Sequence, residues 1–303
     1  MMRLFDWDEP LMSDLSTLPP LRDVIARYEL RTRKSLGQHF LCDLGLTRRI
    51  AALAGDLSGC TVFEIGPGPG GLTRALVESD AARVIAIEKD DRCVAALQEV
   101  VAAAQGRLEV IAGDAMRVSL TGMAPAPRAI VANLPYNIGT ELLLGWLEEI
   151  AAGAVAPSGA EQSRQTQYPY RSLTLMFQSE VVDRLCAAPG SKAYGRLSII
   201  TQFCCNAERV LDVPAEAFSP PPKVESAVVR LTPRVDRPSD ISFDILGRVT
   251  AAAFGQRRKM LRSSMKSLGG EELLRRAGID PTLRAENLSL SEFETLARLV
   301  SHP

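Results

Sequence analysis

The sequence AIVANLPY, residues 129–136, predicts a strand and a ligand site at its end. Its first four residues are a short apolar run, which is typical of a buried strand. The turn that follows therefore lies at a carboxyl end of a strand, where open α/β sheets bind ligands. Asn133 supplies an amide acceptor, Pro135 stiffens the turn, and Tyr136 adds an aromatic face. Such a turn suits a flat base that carries an exocyclic amine, although a strand-to-helix turn with a half-buried Tyr uses the same residues.

A glycine loop upstream has the pattern of a nucleotide-cofactor cradle. The buried-strand pattern at 60–65 leads into Gly66-Pro67-Gly68-Pro69-Gly70-Gly71, and a helix pattern follows at 72–77. Glycines allow the backbone to approach a ligand closely. The first, third and sixth residues of the loop also satisfy the dinucleotide pattern G-x-G-x-x-G, so the loop alone does not separate NAD from other adenosine cofactors.

Acidic residues end the next two predicted strands. Glu88 follows an apolar run at 83–87, about 20 residues beyond the glycines, where a carboxylate suits a ribose diol. Asp114 follows the apolar run 108–112 and is a candidate for an adenine amino group, although an Asp here is also typical of a turn or a helix cap.

The alternation of strand and helix patterns predicts an α/β fold with a Rossmann-like sheet. Further helices are expected at 91–103, 138–150 and from 180, further strands at 172–177 and 224–231, and a loop at 194–198. Residues 1–30 are expected to be a tail with a short helix, 31–235 the main domain, and 236–303 a small all-helical domain. The stretch 152–170 has no apolar period and is expected to be a flexible insertion.

Composition narrows the classes of function. The chain has 303 residues, a formal net charge of -1, six cysteines without a C-x-x-C pair, and two histidines. These numbers argue against a zinc site and a His-based triad, and we expect no metal. No run is long enough to span a membrane, and the scattered thiols fit a reducing compartment, so we expect a cytoplasmic protein.

Two basic segments are candidates for contact with phosphates. Arg33 and Lys34 precede a glycine and an apolar pair. In the stretch 254–266, Arg258, Arg262 and Lys266 are spaced four apart, which predicts an amphipathic helix with a basic stripe. A solvated helix face would show the same spacing.

Taken in order, the motifs resemble those of the ribosomal RNA adenine N6-dimethyltransferases. The resemblance covers roughly residues 31–265 and rests on these segments: KSLGQHFL at 34–41, EIGPG at 64–68, Glu88, GDA at 113–115, NLPYN at 133–137, YGRLS at 194–198 and PPKVESAV at 221–228. The segment FGQRRK at 254–259 favours the bacterial enzymes of the small ribosomal subunit over relatives that methylate large-subunit RNA.

This resemblance implies a class I methyltransferase that uses S-adenosylmethionine. The substrate would be two adjacent adenosines near the 3′ end of 16S rRNA, within the immature 30S subunit, and the enzyme a monomer. By family pattern, the cofactor-binding residues are His39, Leu41, Gly66, Glu88, Asp114 and Asn133, the catalytic residues Asn133, Pro135 and Tyr136, and the RNA-binding residues Arg33, Lys34, Arg257, Arg258, Lys259 and Arg262. We expect the Asn133 side-chain oxygen and the Pro135 carbonyl to hold the N6 hydrogens of the target.

Two other classes of function compete with this interpretation. An NAD-dependent dehydrogenase would use the glycine loop but would leave the Asn133–Tyr136 turn and the basic stretch 254–266 unexplained. A ribosome-assembly or transcription factor on a methyltransferase fold would bind without catalysis. Such a factor would tolerate the loss of Asn133, whereas an enzyme would not.

Overall fold

The computed structural model describes residues 15–30, 39–153 and 168–301. Its strands are β1 (Phe40–Leu41), β2 (Thr61–Ile65), β3 (Arg83–Glu88), β4 (Leu108–Ala112), β5 (Arg128–Asn133), β6 (Ser172–Gln178), β7 (Cys205–Val213), β8 (Phe218–Ser219) and β9 (Ser226–Pro233). Its helices are α1 (Leu21–Arg27), α2 (Leu44–Leu53), α3 (Gly71–Glu78), α4 (Asp91–Ala103), α5 (Gly139–Gly153), α6 (Ser179–Leu185), α7 (Arg196–Cys204), α8 (Phe243–Phe254), α9 (Leu261–Ser264), α10 (Gly270–Arg276) and α11 (Leu290–Ser301).

The main sheet confirms the predicted α/β class. In the described part of the chain its strand order is β4-β3-β2-β5-β6-β9-β7, and the first five strands are parallel. Strands β9 and β7 close one edge in antiparallel pairing. Because β2, β3 and β5 are parallel neighbours, their carboxyl ends meet at one edge of the sheet. The glycine loop, Glu88 and the Asn133–Tyr136 turn therefore come together there.

Three segments differ from the sequence-based predictions. The predicted loop at 194–198 already begins α7 at Arg196. Strand β7 was not predicted. It lies at the edge of the sheet, and its charged residues interrupt the apolar run that would mark a buried strand. The predicted basic helix over 254–266 is wrong. Helix α8 ends at Phe254, a turn follows, and Met260 has an extended backbone (ψ 150°) before the short α9.

The segment 15–30 packs on the main domain, contrary to the loose tail predicted for residues 1–20. Val24 and Leu30 join a buried cluster with Phe40 of β1 and with Cys93 of α4. The carbonyl of Pro19 accepts a hydrogen bond of 2.8 Å from the Arg74 guanidinium on α3. Residues 1–14 lie outside the described part of the chain.

The predicted insertion at 152–170 lies mostly outside the described residues. At its amino end, α5 continues to Gly153. At its carboxyl end, Tyr170 is fully buried and its hydroxyl donates to the Glu149 carboxylate at 2.5 Å. The two ends of the segment therefore belong to the packed structure.

The carboxyl-terminal helices share one hydrophobic core with the sheet. Buried residues of α8, α10 and α11 belong to the same cluster as those of α5, α7, β5 and β6. The predicted boundary near residue 236 therefore marks a change of secondary structure, and the apolar packing continues across it. None of the helices that the structure describes combines the length and the apolar character needed to span a membrane.

Candidate active site

The glycine loop between β2 and α3 is held close to two other parts of the site. Gly66 and Gly68 have φ angles of 67° and 56°, in the left-handed region that L side chains rarely adopt. A Cβ on Gly68 would lie 3.0 Å from a ring carbon of Phe40. A Cβ on Gly66 would lie 3.6 Å from the Pro135 ring, so the loop faces the Asn133–Tyr136 turn directly.

Glu88 at the end of β3 is a buried carboxylate with strong backbone support. Its Oε2 accepts from the Gly68 amide at 3.0 Å, and its Oε1 accepts from the amides of Lys89 and Asp90, each at 2.8 Å. Burial raises the pKa of Glu88, and these three N–H donors oppose that shift. The carboxylate links the end of β3 to the glycine loop.

Asp114 follows the end of β4. Glu88, at the end of β3, lies between it and the glycine loop after β2. The Lys89 ammonium donates to its Oδ2 at 2.8 Å, and the amide of Met116 donates to its Oδ1 at 3.1 Å. The bond from Lys89 is the main cause that lowers the pKa of Asp114. The group is therefore an ionised acceptor at neutral pH.

The Asn133–Tyr136 turn carries an amide oxygen without a partner. Asn133 Nδ2 donates to the His39 carbonyl at 3.3 Å, and no described residue donates to its Oδ1. The Tyr136 hydroxyl shares a hydrogen bond of 2.7 Å with the Ser226 hydroxyl of β9. The Tyr136 ring stacks near the His39 ring, with centroids 5.8 Å apart. The amide orientation and the aromatic face are thus both fixed by contacts.

The Pro135 carbonyl is not available for a substrate, which corrects the role predicted for it. It accepts two hydrogen bonds from the first turn of α5, from Ile138 at 3.2 Å and from Gly139 at 2.9 Å. A carbonyl oxygen has two lone pairs, so both are in use. The preceding Leu134 carbonyl accepts no hydrogen bond from the described residues. Pro135 still stiffens the turn and contacts the loop beneath Gly66.

A two-stranded ribbon closes the other side of the site. Strand β1 pairs antiparallel with β8, with Phe40 opposite Ser219 and Leu41 opposite Phe218. The His39 ring is fixed beside it, because Nδ1 donates to the Pro220 carbonyl at 2.9 Å. The position of His39 at the site therefore depends on contact with the segment near residue 220 as well as on Asn133 and Tyr136.

These segments enclose one cavity of about 180 Å³. It is lined by all of the residues predicted to bind the cofactor or to act in catalysis: His39, Leu41, Gly66, Glu88, Asp114, Asn133, Pro135 and Tyr136. In the described ranges, no group of three or more His, Cys, Asp or Glu side chains is arranged to hold a metal ion. The cavity combines the carboxylates of Glu88 and Asp114 with an amide oxygen, Asn133 Oδ1, that has no partner among the described residues.

Glu64 also lines this cavity, and the sequence analysis did not single it out. It lies in β2, one residue before the strand ends, with 2% of its surface exposed. Burial raises its pKa to about 8, the charge of Glu88 adds to the shift, and the nearby Thr73 hydroxyl opposes it. The sequence contained a clue to Glu64, because it is a charged residue inside the apolar run 60–65, and charged residues are rarely buried in a strand without a reason.

The predicted RNA-binding residues fall into three groups. Arg33 and Lys34 lie outside the described residues. Arg257 donates to the Glu286 carboxylate at 3.1 Å and to the Lys192 carbonyl at 2.5 Å, so it joins two segments of the protein. Arg258, Lys259 and Arg262 are exposed, and none of them forms an ion pair with a described residue. Arg258 and Lys259 lie in the turn after α8, and Arg262 lies in the first turn of α9.

Comparison with known proteins gives a consistent result. The family model described as "Ribosomal RNA adenine dimethylase" matches residues 29–301. Ribosomal RNA small subunit methyltransferase A of Chelativorans sp. is 55% identical over 284 residues, which cover 93% of this chain and 98% of the relative. The protein of the same name from Paramagnetospirillum magneticum is 56% identical, covering 94% of this chain and 95% of the relative.

Solved structures agree on the fold. A dimethyladenosine transferase from Plasmodium falciparum superposes with a TM-score of 0.69 at 26% identity, covering 85% of this chain and 96% of that one. The 23S rRNA methyltransferase ErmE superposes with a TM-score of 0.62 at 23% identity, covering 87% of this chain and all of that one. Because ErmE is only 23% identical to this chain, its similarity concerns the fold alone.

Proposed function

The chain belongs to the ribosomal RNA adenine dimethylase family and is a methyltransferase; on that premise we propose that it dimethylates adenosine N6 in 16S rRNA. The methyl donor is S-adenosylmethionine, and the acceptors are two adjacent adenosines near the 3′ end of the RNA. The protein acts as a monomer on immature 30S subunits in the cytoplasm.

One observation carries this proposal. Asn133 lines the same cavity as Glu88 and Asp114, and its Oδ1 accepts no hydrogen bond from the part of the chain that the structure describes. An adenosine cofactor needs acceptors for its ribose and its amine, and the target base needs an acceptor beside the methyl group. A dehydrogenase would use the first two acceptors and would have no use for the third.

The residues of the cavity fit S-adenosylmethionine. Gly66 and Gly68 lie where a Cβ would meet Pro135 or Phe40, so the backbone of the loop packs closely against two walls of the cavity that it lines. Glu88 Oε2 retains one lone pair for a ribose hydroxyl, and Asp114 is ionised to accept from the adenine amine. Glu64 lines the cavity two residues before Gly66, where its carboxyl group would lie near the cofactor's ammonium group. His39 and Leu41 cover the ligand from the ribbon.

The chain's main task in the reaction is to position the target nitrogen. S-adenosylmethionine, when bound, supplies an electrophilic methyl group on a sulfonium. The adenine N6 lone pair is delocalised into the ring and is a weak nucleophile. Asn133 Oδ1 and the Leu134 carbonyl would accept its two hydrogens and so favour a pyramidal nitrogen. Catalysis then comes from orientation and electrostatics, and no strong base is required before the transfer.

Tyr136 supports a base that has left its stack. A base inside a folded RNA must be extruded before its N6 can reach the cavity. Stacking on an aromatic side chain replaces roughly 1–3 kcal/mol per base of the lost stacking. The bond from Tyr136 to Ser226 and the neighbouring His39 ring hold this aromatic surface in place.

The test of the function is methyl transfer from labelled S-adenosylmethionine to undermethylated small subunits, followed by nucleoside analysis of the RNA. We expect N6,N6-dimethyladenosine as the product. Cofactor binding without any methylated adenosine would overturn the proposal in favour of a binding factor or another methyl acceptor. Mature, fully methylated subunits serve as the negative control.

Replacing Glu88 with Ala is expected to weaken S-adenosylmethionine binding about 10- to 100-fold. The change removes an acceptor for the ribose hydroxyls, and hydrogen bonds to charged groups contribute about 1.5–3 kcal/mol. Isothermal titration calorimetry measures the affinity directly. The control is Glu109→Ala on the neighbouring β4, whose side chain pairs with Arg83 outside the cavity. Equal affinities for wild type and Glu88→Ala would contradict the ribose assignment.

Charge reversal at both Arg258 and Arg262 is expected to weaken binding to undermethylated 30S subunits by tenfold or more. It should also reduce the slope of log affinity against log salt by about two, because each lost phosphate contact lowers it by about one. The matched control reverses Arg22 and Arg49, which are exposed on α1 and α2. If both pairs gave the same affinity and salt slope, the cations after α8 would be only a solvated surface.

A further inference from the structure

The cavity contains a buried acid whose hydrogen bonding is incomplete. Glu64 is 2% exposed and lies two residues before Gly66, at the base of the glycine loop. Its Oε2 is enclosed and has no hydrogen-bond partner among the described residues, and the same is true of the Thr73 hydroxyl. An ionised carboxylate in such a place loses hydration without replacement, so the neutral acid is favoured.

Glu88 has the backbone hydrogen bonds that Glu64 lacks in the described part of the chain. Three backbone N–H groups donate to Glu88, whereas no backbone N–H in the described ranges donates to Glu64, and only the nearby Thr73 hydroxyl opposes the rise of its pKa. Both acids line the same cavity. The negative charge of Glu88 further disfavours a second charge on Glu64. Of the two acids, Glu88 therefore has the hydrogen bonds that stabilise a negative charge.

The other charged groups around the cavity are already engaged elsewhere. Lys89 and Asp114, after β3 and β4, pair with each other at 2.8 Å. Arg74 of α3 donates to the Pro19 carbonyl, and His39 beside β1 donates to the Pro220 carbonyl. The neighbouring strand β5 offers only the neutral Asn133 to the cavity. Within the described ranges, no cation therefore pairs with Glu64, and a ligand can supply one.

We propose that Glu64 is a neutral carboxylic acid in the cofactor-free protein and ionises when the cofactor's ammonium group binds, so that binding releases one proton. This inference rests on the proposed use of S-adenosylmethionine. Gly66 is expected at the amino-acid end of the cofactor, which is the end that carries the ammonium group. The ammonium keeps its protons, and the proton lost by the Glu64 carboxyl passes to the solvent. Glu64 is thereby a binding residue for the amino-acid end of the cofactor.

The direction of the pH dependence follows from the two states. With a pKa of about 8, Glu64 in the free protein is protonated at pH 7, while the bound form is ionised. Raising the pH towards 8 removes the cost of deprotonation, so the affinity should rise by up to about tenfold per pH unit. Above that pKa, the acid is already ionised in the free protein, and the dependence should level off.

The experiment is calorimetric titration of the full-length protein at pH 7 in two buffers with different ionisation enthalpies. S-adenosylhomocysteine is the main probe, because it keeps the amino-acid end and lacks the reactive methyl group. We expect the release of close to one proton per molecule bound, as the group is mostly protonated at this pH. 5′-Methylthioadenosine lacks the amino-acid end and should release close to none.

Glu64→Gln supplies the matched variant, because Gln has the shape of the neutral acid and cannot ionise. It should bind S-adenosylhomocysteine at least tenfold more weakly than wild type at pH 7.5, with no proton release and a flat pH profile. Equal proton release by the two ligands on the wild-type protein would overturn the inference, even if the variant failed to fold. Absence of binding by both S-adenosylmethionine and S-adenosylhomocysteine would instead overturn the proposed cofactor, and this inference with it.

Discussion

Asn133→Ala is expected to lower the rate of methyl transfer by about 10²- to 10³-fold while cofactor affinity changes by less than about threefold. The side-chain Oδ1 is an amide acceptor at the end of β5 to which no described residue donates, and its loss leaves one N6 hydrogen of the target without an acceptor. Removing a single preorganised hydrogen-bonding group from an active site has an effect of this size. The cofactor keeps Glu88, Asp114 and the glycine loop.

Single-turnover methylation of undermethylated 30S subunits at saturating cofactor measures the chemical step for this variant. Calorimetry with S-adenosylhomocysteine measures cofactor affinity separately. Asn206→Ala is the control, because it removes the same amide from an exposed position on β7, outside the cavity. A normal rate for Asn133→Ala would remove the residue from the mechanism and favour the binding-factor interpretation.

Gly71→Ala is expected to destabilise the protein by about 2–3 kcal/mol and to weaken cofactor binding at least tenfold. A Cβ on this first residue of α3 would lie 2.5 Å from the Leu41 carbonyl oxygen and 3.1 Å from a methyl group of Leu21. The first contact is with backbone, so β1 must move away from the helix, and overpacking of this kind costs about 1–3 kcal/mol. Leu41 lines the cavity, and the displacement therefore reaches the cofactor.

Thermal and urea unfolding measure the stability of this variant, and calorimetry measures its cofactor affinity. Gly145→Ala provides the contrast, because Gly145 is exposed in the middle of α5 and a Cβ there meets nothing within 4 Å. That change should stabilise the protein by about 0.5–1 kcal/mol. If Gly71→Ala were as stable as wild type, the close approach of α3 to β1 would have no energetic weight.

The sequence predicted the centre of the sheet well, for a physical reason. Parallel strands buried on both faces are short apolar runs, and helix α4 was predicted with its observed bounds, Asp91–Ala103. Since parallel neighbours end at the same edge, Glu88, Asp114 and Asn133 were expected to meet, and they line one cavity. Their roles towards a ligand remain proposals.

Features that depend on tertiary contacts could not be predicted from the sequence. The spacing of Arg258 and Arg262 has a helical period, but the amide of Leu261 bonds to the Leu283 carbonyl, and the chain starts a new helix there. Edge strand β7 lacks an apolar run, because the charged residues Glu208, Arg209 and Asp212 interrupt it. The Pro135 carbonyl was misassigned because only the structure reveals that the first turn of α5 uses both its lone pairs.

The ribbon of β1 and β8 has a consequence for the smallest fragment that can act as a unit. His39 depends on Pro220, 181 residues later, and Tyr136 depends on Ser226, 90 residues later. A fragment that stops before β8 keeps the glycine loop, the acids Glu64, Glu88 and Asp114, and the entire Asn133–Tyr136 turn. It nevertheless lacks the partner strand that holds β1 over the cavity and the hydroxyl that anchors the aromatic ring. Any minimal catalytic fragment of this chain therefore has to extend at least through Ser226.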